Sequence, residues 1–287
     1  MKPSVVTDIP PLREAIAGAR HRGLTVGLVP TMGALHQGHL RLIETARAET
    51  RFVVVSIFVN PTQFGPNEDL QRYPRPLERD LELCEQAGVD LVFHPEPALL
   101  YPPGYRTFVE VTGLQEVLCG AARPGHFRGV ATIVLKLFNL VQPDCAYFGQ
   151  KDAQQARIIQ QMVRDLNVPV AVRVCPIVRE ADGLALSSRN QYLEADERRE
   201  AVVLHCALVE ARRRIEAGER DAAVVRQAMM ERIASATGAV LDYAAVVDAD
   251  SLQPLGRLVP GCAILLALAV KFGGTRLIDN LPIQVPV

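Results

Sequence analysis

Residues 24–40, read Leu-Thr-Val-Gly-Leu-Val-Pro-Thr-Met-Gly-Ala-Leu-His-Gln-Gly-His-Leu, constrain this chain more than any other stretch. The apolar run 26–29 predicts a buried strand. The strand is expected to stop at Pro30, which has no N–H to give a central ladder. A glycine-bearing loop, 31–38, follows, and a helical pattern runs on from His39 through Leu42, Ile43 and Ala46. Strand, tight loop and helix start together make an anion cradle, because the first backbone N–H groups of a helix are unpaired and its dipole favours negative charge. Gly33 and Gly38 have the spacing of the glycines in a Walker A loop, yet His39-Leu40 stands where Lys-Ser/Thr is required. The loop therefore sets two imidazoles, His36 and His39, at the mouth of the cradle. Imidazole can donate a hydrogen bond to a phosphoryl oxygen, which suits stabilisation of charge developing on phosphate. A zinc reading of His-x-x-His lacks a third ligand nearby and the Glu of H-E-x-x-H. A plain helix-start turn with incidental histidines stays open on this tetrapeptide alone.

Further along, 52–59 is a β-branched run that reads as a second central strand, followed by a long polar loop to Pro76. Helices are expected over 11–22, 77–87, 129–141 and 153–166, and strands over 90–94, 107–111, 145–148 and 170–175. Alternation of strands and helices predicts an α/β fold with a parallel sheet, whose ligands lie beyond the carboxyl ends of the strands. The pattern changes after Pro176. Long helices are expected over 195–217 and 221–237, then strands over 240–247, 263–270 and 275–279 with a Gly273-Gly274 hairpin turn. The chain thus reads as an N-terminal domain over 1–178 and a smaller α+β C-terminal domain over 179–287.

Composition serves mainly to exclude. Thirty-one basic and 32 acidic residues give a formal net charge of −1, with no basic run longer than Arg212-Arg213-Arg214, so no nucleic-acid groove is expected. No apolar segment marks a signal peptide at the N-terminus, and the longest wholly apolar run, 262–270, is too short to span a bilayer. The six cysteines are scattered without a C-x-x-C pair, which reads as reduced thiols in a cytoplasmic protein.

Three further clusters carry polar chemistry. Asn60-Pro61-Thr62-Gln63 offers amide donors and acceptors at a strand end, suited to a small polar substrate. Glu68, Asp69 and Asp80 offer carboxylates for a Mg²⁺-polyphosphate, or solvated charge. Gly149-Gln150-Lys151-Asp152 again joins a strand end to a helix start. Lys151 can reach phosphate oxygens, Asp152 can cap the helix or hold a ribose hydroxyl, and Gln155 lies one turn on. Leu186-Ser187-Ser188-Arg189-Asn190 sets two hydroxyls beside a guanidinium, as a polyphosphate clamp or a helix cap. Between them lies the basic loop Arg123-Pro124-Gly125-His126-Phe127-Arg128. Jointly these describe a nucleotide site suited to nucleotidyl transfer, where catalysis is positioning plus charge stabilisation.

These motifs, 30–39, 58–64, 123–129, 149–152 with Gln155, and 187–190, resemble in order those of the pantoate–β-alanine ligase family. The resemblance implies a Rossmann-like first domain related to class I aminoacyl-tRNA synthetases, with the C-terminal domain as a lid. It implies an ATP-dependent ligase on the route to coenzyme A: pantoate would attack the α-phosphorus of ATP, and β-alanine would displace AMP from pantoyl adenylate. It implies ATP contacts from Met32, Gly33, Ala34, Leu35, His36, Gln37, Gly38 and His39, with His39 as proton donor. Gly149, Gln150, Lys151, Asp152, Val178, Leu186, Ser187, Ser188 and Arg189 would complete the ATP site. His36, His39, Lys151 and Arg189 form the catalytic set. Gln63 and Gln155 would hold pantoate, with Asn60 and Arg123 beside them, and Asp80 would bind Mg²⁺. A cytoplasmic homodimer is the implied state. Two departures stand out: Leu186 replaces a common Met, and Ala153 a common aromatic. Another nucleotidyltransferase acting on a small acceptor is the alternative.

Overall fold

The structure, a computed structural model, describes residues 2–66 and 68–287. The chain divides into two compact units. The first comprises Met1–Gln115, Gly120–Gln150 and Gln155–Pro176, and the second Glu116–Cys119, Lys151–Gln154 and Ile177–Val287. The short segment around Lys151 thus belongs with the C-terminal residues, although the reading of 1–178 as one domain places it in the other unit.

In chain order the first stretch runs β1 (Ser4–Val6), α1 (Ile9–His21), β2 (Val26–Thr31), α2 (Gln37–Glu49), β3 (Phe52–Ile57), α3 (Leu77–Gln86), β4 (Leu91–Phe93), α4 (Pro97–Leu100), α5 (Cys119–Ala122), α6 (His126–Val141), β5 (Cys145–Gly149), α7 (Ala153–Asp165) and β6 (Ala171–Cys175). The strands form one parallel sheet in the order β1-β4-β3-β2-β5-β6, so the expected α/β architecture is present. Every residue of β3 is buried, as a strand covered by helices on both faces must be. Val53, Val55 and Ile57 pack with Leu42, Ile43 and Ala46 of α2 and Cys84 of α3. The chain turns from one side of the sheet to the other at β2, which puts a switch point between β2 and β5.

Three local readings are corrected. Pro30 lies inside β2, paired in register with Ser56. Thr25 and Thr31 give their carbonyls to Phe52 and Phe58 of the β3 side, while Val26 gives its own to Asp144 on the β5 side. By alternation Pro30 faces β5, whose pairing with β2 ends at Leu28, so its missing N–H costs no ladder bond. Residues 107–111 form no strand. Val109 N–H donates to the Thr132 hydroxyl and Val111 N–H to the Gln115 amide, and the Arg128 guanidinium sits 4.0 Å over the Phe108 ring. Side chains satisfy this segment instead of a ladder. β1 has no counterpart among the expected strands: three residues pair at the sheet edge with β4.

The second unit contains α8 (Ala195–Glu200), α9 (Val203–Glu216), α10 (Ala222–Ala234) and an antiparallel sheet of β7 (Ala239–Asp248), β8 (Ala263–Phe272) and β9 (Thr275–Gln284), with β8 central. The expected single helix over 195–217 is two. Ala201 and Val202 take a tighter turn, in which Leu204 N–H bonds back to the Ala201 carbonyl. Leu204, Leu208, Ala211 and Ile215 of α9 pack with Val225 and Met229 of α10 and Leu266, Leu268 and Val270 of β8. The two-residue hairpin at Gly273-Gly274 stands as expected, with Gly273 left-handed. Among the described residues no helix is long and apolar enough to cross a membrane.

Candidate active site

The loop after β2 is built around Asp80, which the sequence reading offers as a metal ligand. Asp80 is 1 % exposed. Its two oxygens accept the Ala34 N–H at 2.8 Å and the Leu35 N–H at 2.7 Å. Burial pushes its carboxyl above the ordinary range, against the pull of those two amides. Gly33 and Ala34 are both left-handed, with φ of 78° and 51°. Gly33 tolerates this freely; Ala34 is held in it by the carboxylate. A Cβ on Gly33 would lie 2.9 Å from an Asp80 oxygen, so the close approach also demands glycine. The Thr31 hydroxyl donates to the Ser56 carbonyl at 2.7 Å and accepts the Gly33 N–H at 3.2 Å, fixing the start of the loop.

The two histidines then cap α2 reciprocally. His36 Nδ1 accepts the Gly38 N–H at 3.1 Å, and His39 Nδ1 accepts the His36 N–H at 3.3 Å. The rings lie 4.2 Å apart. An Nδ1 that accepts is unprotonated, so each imidazole held this way is neutral and carries its hydrogen on Nε2. Gly38 is required here as well: a Cβ would lie 2.8 Å from the His36 ring.

Asn60 and Gln63 follow β3, in and beside a 3₁₀ turn over Pro61–Gln63. Both are buried. The Asn60 amide donates to Gln63 Oε1 at 3.1 Å and to the Gly129 carbonyl at 3.2 Å, and Gln63 Nε2 lies on the Met32 sulfur. The glycine loop and the Gln63 side chain are thus in contact. Arg123 comes to the same place, but its guanidinium is engaged by Glu68 at 2.5 and 2.6 Å. His126 Nδ1 lies 2.8 Å from the Gln63 carbonyl and its Nε2 lies 3.0 Å from Arg123, so His126, which the sequence places in the basic loop 123–128, fixes the Gln63 backbone. Burial would raise the Glu68 carboxyl, but the hydrogen bonds and charge of Arg123 outweigh it and hold it below the usual range. Gly149 and Gln150 leave the end of β5, and Gln155 lies half-buried on α7. Its neighbour Gln154 is the buried one.

The remaining expected residues lie in the second unit. Lys151 and Asp152 occupy a 3₁₀ turn, and the Lys151 carbonyl accepts the Asn280 amide at 2.9 Å. Val178 and Leu186 face each other across a hairpin, Leu186 N–H to Val178 carbonyl at 3.0 Å. Ser187 caps the turn Ser188–Tyr192 by accepting the Arg189 N–H at 3.2 Å. Asn190 donates to Glu180 and to the Ala185 carbonyl.

No group of three His, Cys, Asp or Glu that could hold a metal occurs among the described residues. Asp80 faces the loop amides with both oxygens and Glu68 is paired with Arg123.

The profile of the pantoate-beta-alanine ligase family matches residues 4–282. The pantothenate synthetase of Moorella thermoacetica is 60 % identical over 281 residues, covering 98 % of this chain and 99 % of that protein. The pantothenate synthetase of Acetivibrio thermocellus is 55 % identical over 281 residues, with the same coverage. The crystal structure of pantothenate synthetase from Thermus thermophilus superposes with a TM-score of 0.91 at 48 % identity, covering 99 % of this chain and 100 % of that one. That of the pantoate-beta-alanine ligase of Francisella tularensis, complexed with beta-gamma ATP and beta-alanine, gives 0.78 at 34 % identity and 97 % of each chain. With the family profile and close relatives matching nearly the whole length, the chain belongs to the pantoate–β-alanine ligases, the pantothenate synthetases.

Proposed function

We propose that the chain activates pantoate with ATP and then passes the pantoyl group to β-alanine. A pantoate carboxylate oxygen attacks the α-phosphorus, the bond from that phosphorus to the bridging oxygen breaks, and pyrophosphate leaves with the bonding pair. The β-alanine amine next attacks the acyl carbon, the acyl–oxygen bond breaks, AMP leaves, and the nitrogen loses a proton to give the amide. The Francisella protein's complex with beta-gamma ATP and beta-alanine supports the choice of substrates.

The observation that carries this reading is the reciprocal cap. Two neutral imidazoles with hydrogen on Nε2, fixed through Nδ1 at a glycine loop, are preorganised donors for a phosphate whose charge grows in the transition state. Attack by a carboxylate needs no proton removed from the nucleophile, so His39 and His36 serve as hydrogen-bond donors, not as proton donors. Met32, Gly33, Ala34, Leu35, Gln37 and Gly38 present backbone to ATP. Lys151 and Arg189 supply positive charge to the phosphates, and Gly149, Gln150, Asp152, Val178, Leu186, Ser187 and Ser188 frame the nucleotide. Gln63 and Gln155 take pantoate, with Asn60 and Arg123 orienting Gln63. Mg²⁺ enters with the triphosphate as part of the substrate, and Asp80 shapes the loop instead of binding it. The protein works as a homodimer, the state implied by its family, in the cytoplasm where ATP is supplied.

Pantoate-dependent exchange of pyrophosphate into ATP tests this directly. His36→Ala and His39→Ala each lower exchange by about 10²–10³-fold, the cost of losing one preorganised donor, while losing only about 1 kcal/mol of stability as helix caps. Wild-type exchange in a folded variant would remove both histidines from the chemistry. Omitting pantoate, β-alanine or ATP in turn separates the ligase from a nucleotidyltransferase with another acceptor, since only the ligase needs all three for AMP release.

A further inference from the structure

Two adjacent residues late in the chain, Asp279 and Asn280 of β9, are buried polar side chains that the ligase reading leaves without a role. Successive side chains on a strand point to opposite faces, so β9 can offer one to each of two loops. The Asn280 amide donates to the Lys151 carbonyl at 2.9 Å. The Asp279 carboxylate takes both terminal nitrogens of Arg179, at 2.6 and 2.9 Å, and the Arg179–Asp279 pair is almost wholly buried on the carboxylate side. Arg179 in turn donates to the Gly183 carbonyl at 3.0 Å and pairs as a bridge with Ala185, one residue before the 186–189 segment. Lys151 and Arg189 lie 38 positions apart in sequence, yet the segments that carry them are both keyed to this one dipeptide.

Both segments are short, and each has other contacts as well: Arg198 pairs with Glu180 and Asp182 of the hairpin, and the Lys151 turn runs from β5 into α7. The Lys151 turn is three residues of 3₁₀ helix, and the hairpin over 178–186 closes on three backbone bonds and a left-handed Gly183. A lysine or arginine on a long side chain delivers charge to a fixed point only when its backbone is fixed, and a misplacement of about 1 Å can cost on the order of 100-fold in rate. We infer that Asp279 and Asn280 are positioning residues for the phosphate-binding cations, Asn280 acting through Lys151 and Asp279 acting through the Arg179 hairpin on Arg189. This rests on the reading of Lys151 and Arg189 as phosphate cations.

A double-mutant cycle separates positioning from plain stability. Wild type, Asn280→Ala, Lys151→Ala and the double variant are compared in pantoate-dependent pyrophosphate exchange and in ATP affinity, with thermal melts alongside. Asn280→Ala is expected to lower exchange by about tenfold and to weaken ATP, leaving half-saturation by pantoate unchanged. On the Lys151→Ala background it is expected to cost less than about twofold. The same pattern is expected for Asp279→Asn with Arg189→Ala. Equal losses on both backgrounds, or no loss from Asn280→Ala, overturn the inference. Full activity of Lys151→Ala alone overturns it too, while the wild-type exchange still reports on the ligase reading. Should wild type show no exchange, that reading fails by itself and ATP affinity across the same four proteins still decides the positioning role. If Asn280→Ala melts below assay temperature, the near-isosteric Asn280→Asp, which turns the donor into an acceptor facing the Lys151 carbonyl, replaces it in the cycle.

Discussion

Replacing Asp80 by Asn tests whether this carboxylate builds the loop or binds a metal. The carboxylate accepts two backbone N–H groups at 2.8 and 2.7 Å in a buried setting. Hydrogen bonds to a charged partner are worth about 1.5–3 kcal/mol each, and an amide can accept only one of the two N–H groups while turning a donor toward the other. The left-handed Ala34 adds about 1 kcal/mol of strain that the carboxylate offsets. Part of the loss is returned, because burial already disfavours the charged form. Asp80→Asn is therefore expected to cost about 2–3 kcal/mol, read as a lower urea midpoint, and to raise KM for ATP at least tenfold through a displaced loop. Ala34→Gly, which adopts a positive φ without strain, should restore about 1 kcal/mol in the Asp80→Asn background and part of the ATP affinity. Its effect in the wild-type background should be smaller, because there the carboxylate already holds the turn. Wild-type stability and ATP affinity in Asp80→Asn, with a raised Mg²⁺ requirement as its only defect, would refute the loop role and restore the metal reading.

Two further outcomes follow from buried contacts. Gly129 of α6 leaves no room for a methyl group against the Thr62 carbonyl and the Gln63 amide; Gly129→Ala is expected to cost about 1–3 kcal/mol and to weaken pantoate more than ATP, measured by urea unfolding and by separate KM values. The His205 imidazole is held below its ordinary 6.5, chiefly by burial and then by the Arg179 charge, and its Nδ1 is buried without a partner. The unfolded chain therefore takes up the proton first: the contribution is full above pH 6.5 and is lost as pH falls through the lower folded value, at no more than about 1.4 kcal/mol per pH unit. His205→Phe should flatten that part of the stability–pH curve, and an unchanged slope would refute the assignment.

The sheet of the first unit was legible because its strands announce themselves locally: 26–29, 52–59 and 145–148 are apolar runs closed by Pro, Asn or Gly. The helix over His126–Val141 showed its buried stripe at a period of 3.6. The loops at the strand ends could be read for the same reason, since glycine spacing and histidine pairs are near in sequence. What could not be read was partnership at a distance. Asp80 looks like any helix-surface carboxylate until the loop 45 residues away turns its amides toward it. Arg123 looks like a free cation until Glu68 meets it. Residues 107–111 have the alternation of a strand but no neighbour to pair with, and β1 has a neighbour but only three residues to show for it. Asn280 carried one faint signal, a polar pair, Asp279-Asn280, set between the apolar Leu277-Ile278 and Leu281 of its strand. The order of the parallel strands, and with it the crossing point at β2, also follows from pairings that no local pattern encodes.

The latch between Lys151 and Asn280 has a consequence for how the protein is made. The two residues are 129 positions apart. A ribosome that has just finished β6 has delivered every strand of the parallel sheet, along with the glycine loop and both histidines, yet the lysine still lacks the residue that seats its carbonyl. On the reading proposed for Lys151, its turn is therefore seated only once β9 has been made, after every strand of the parallel sheet has left the ribosome.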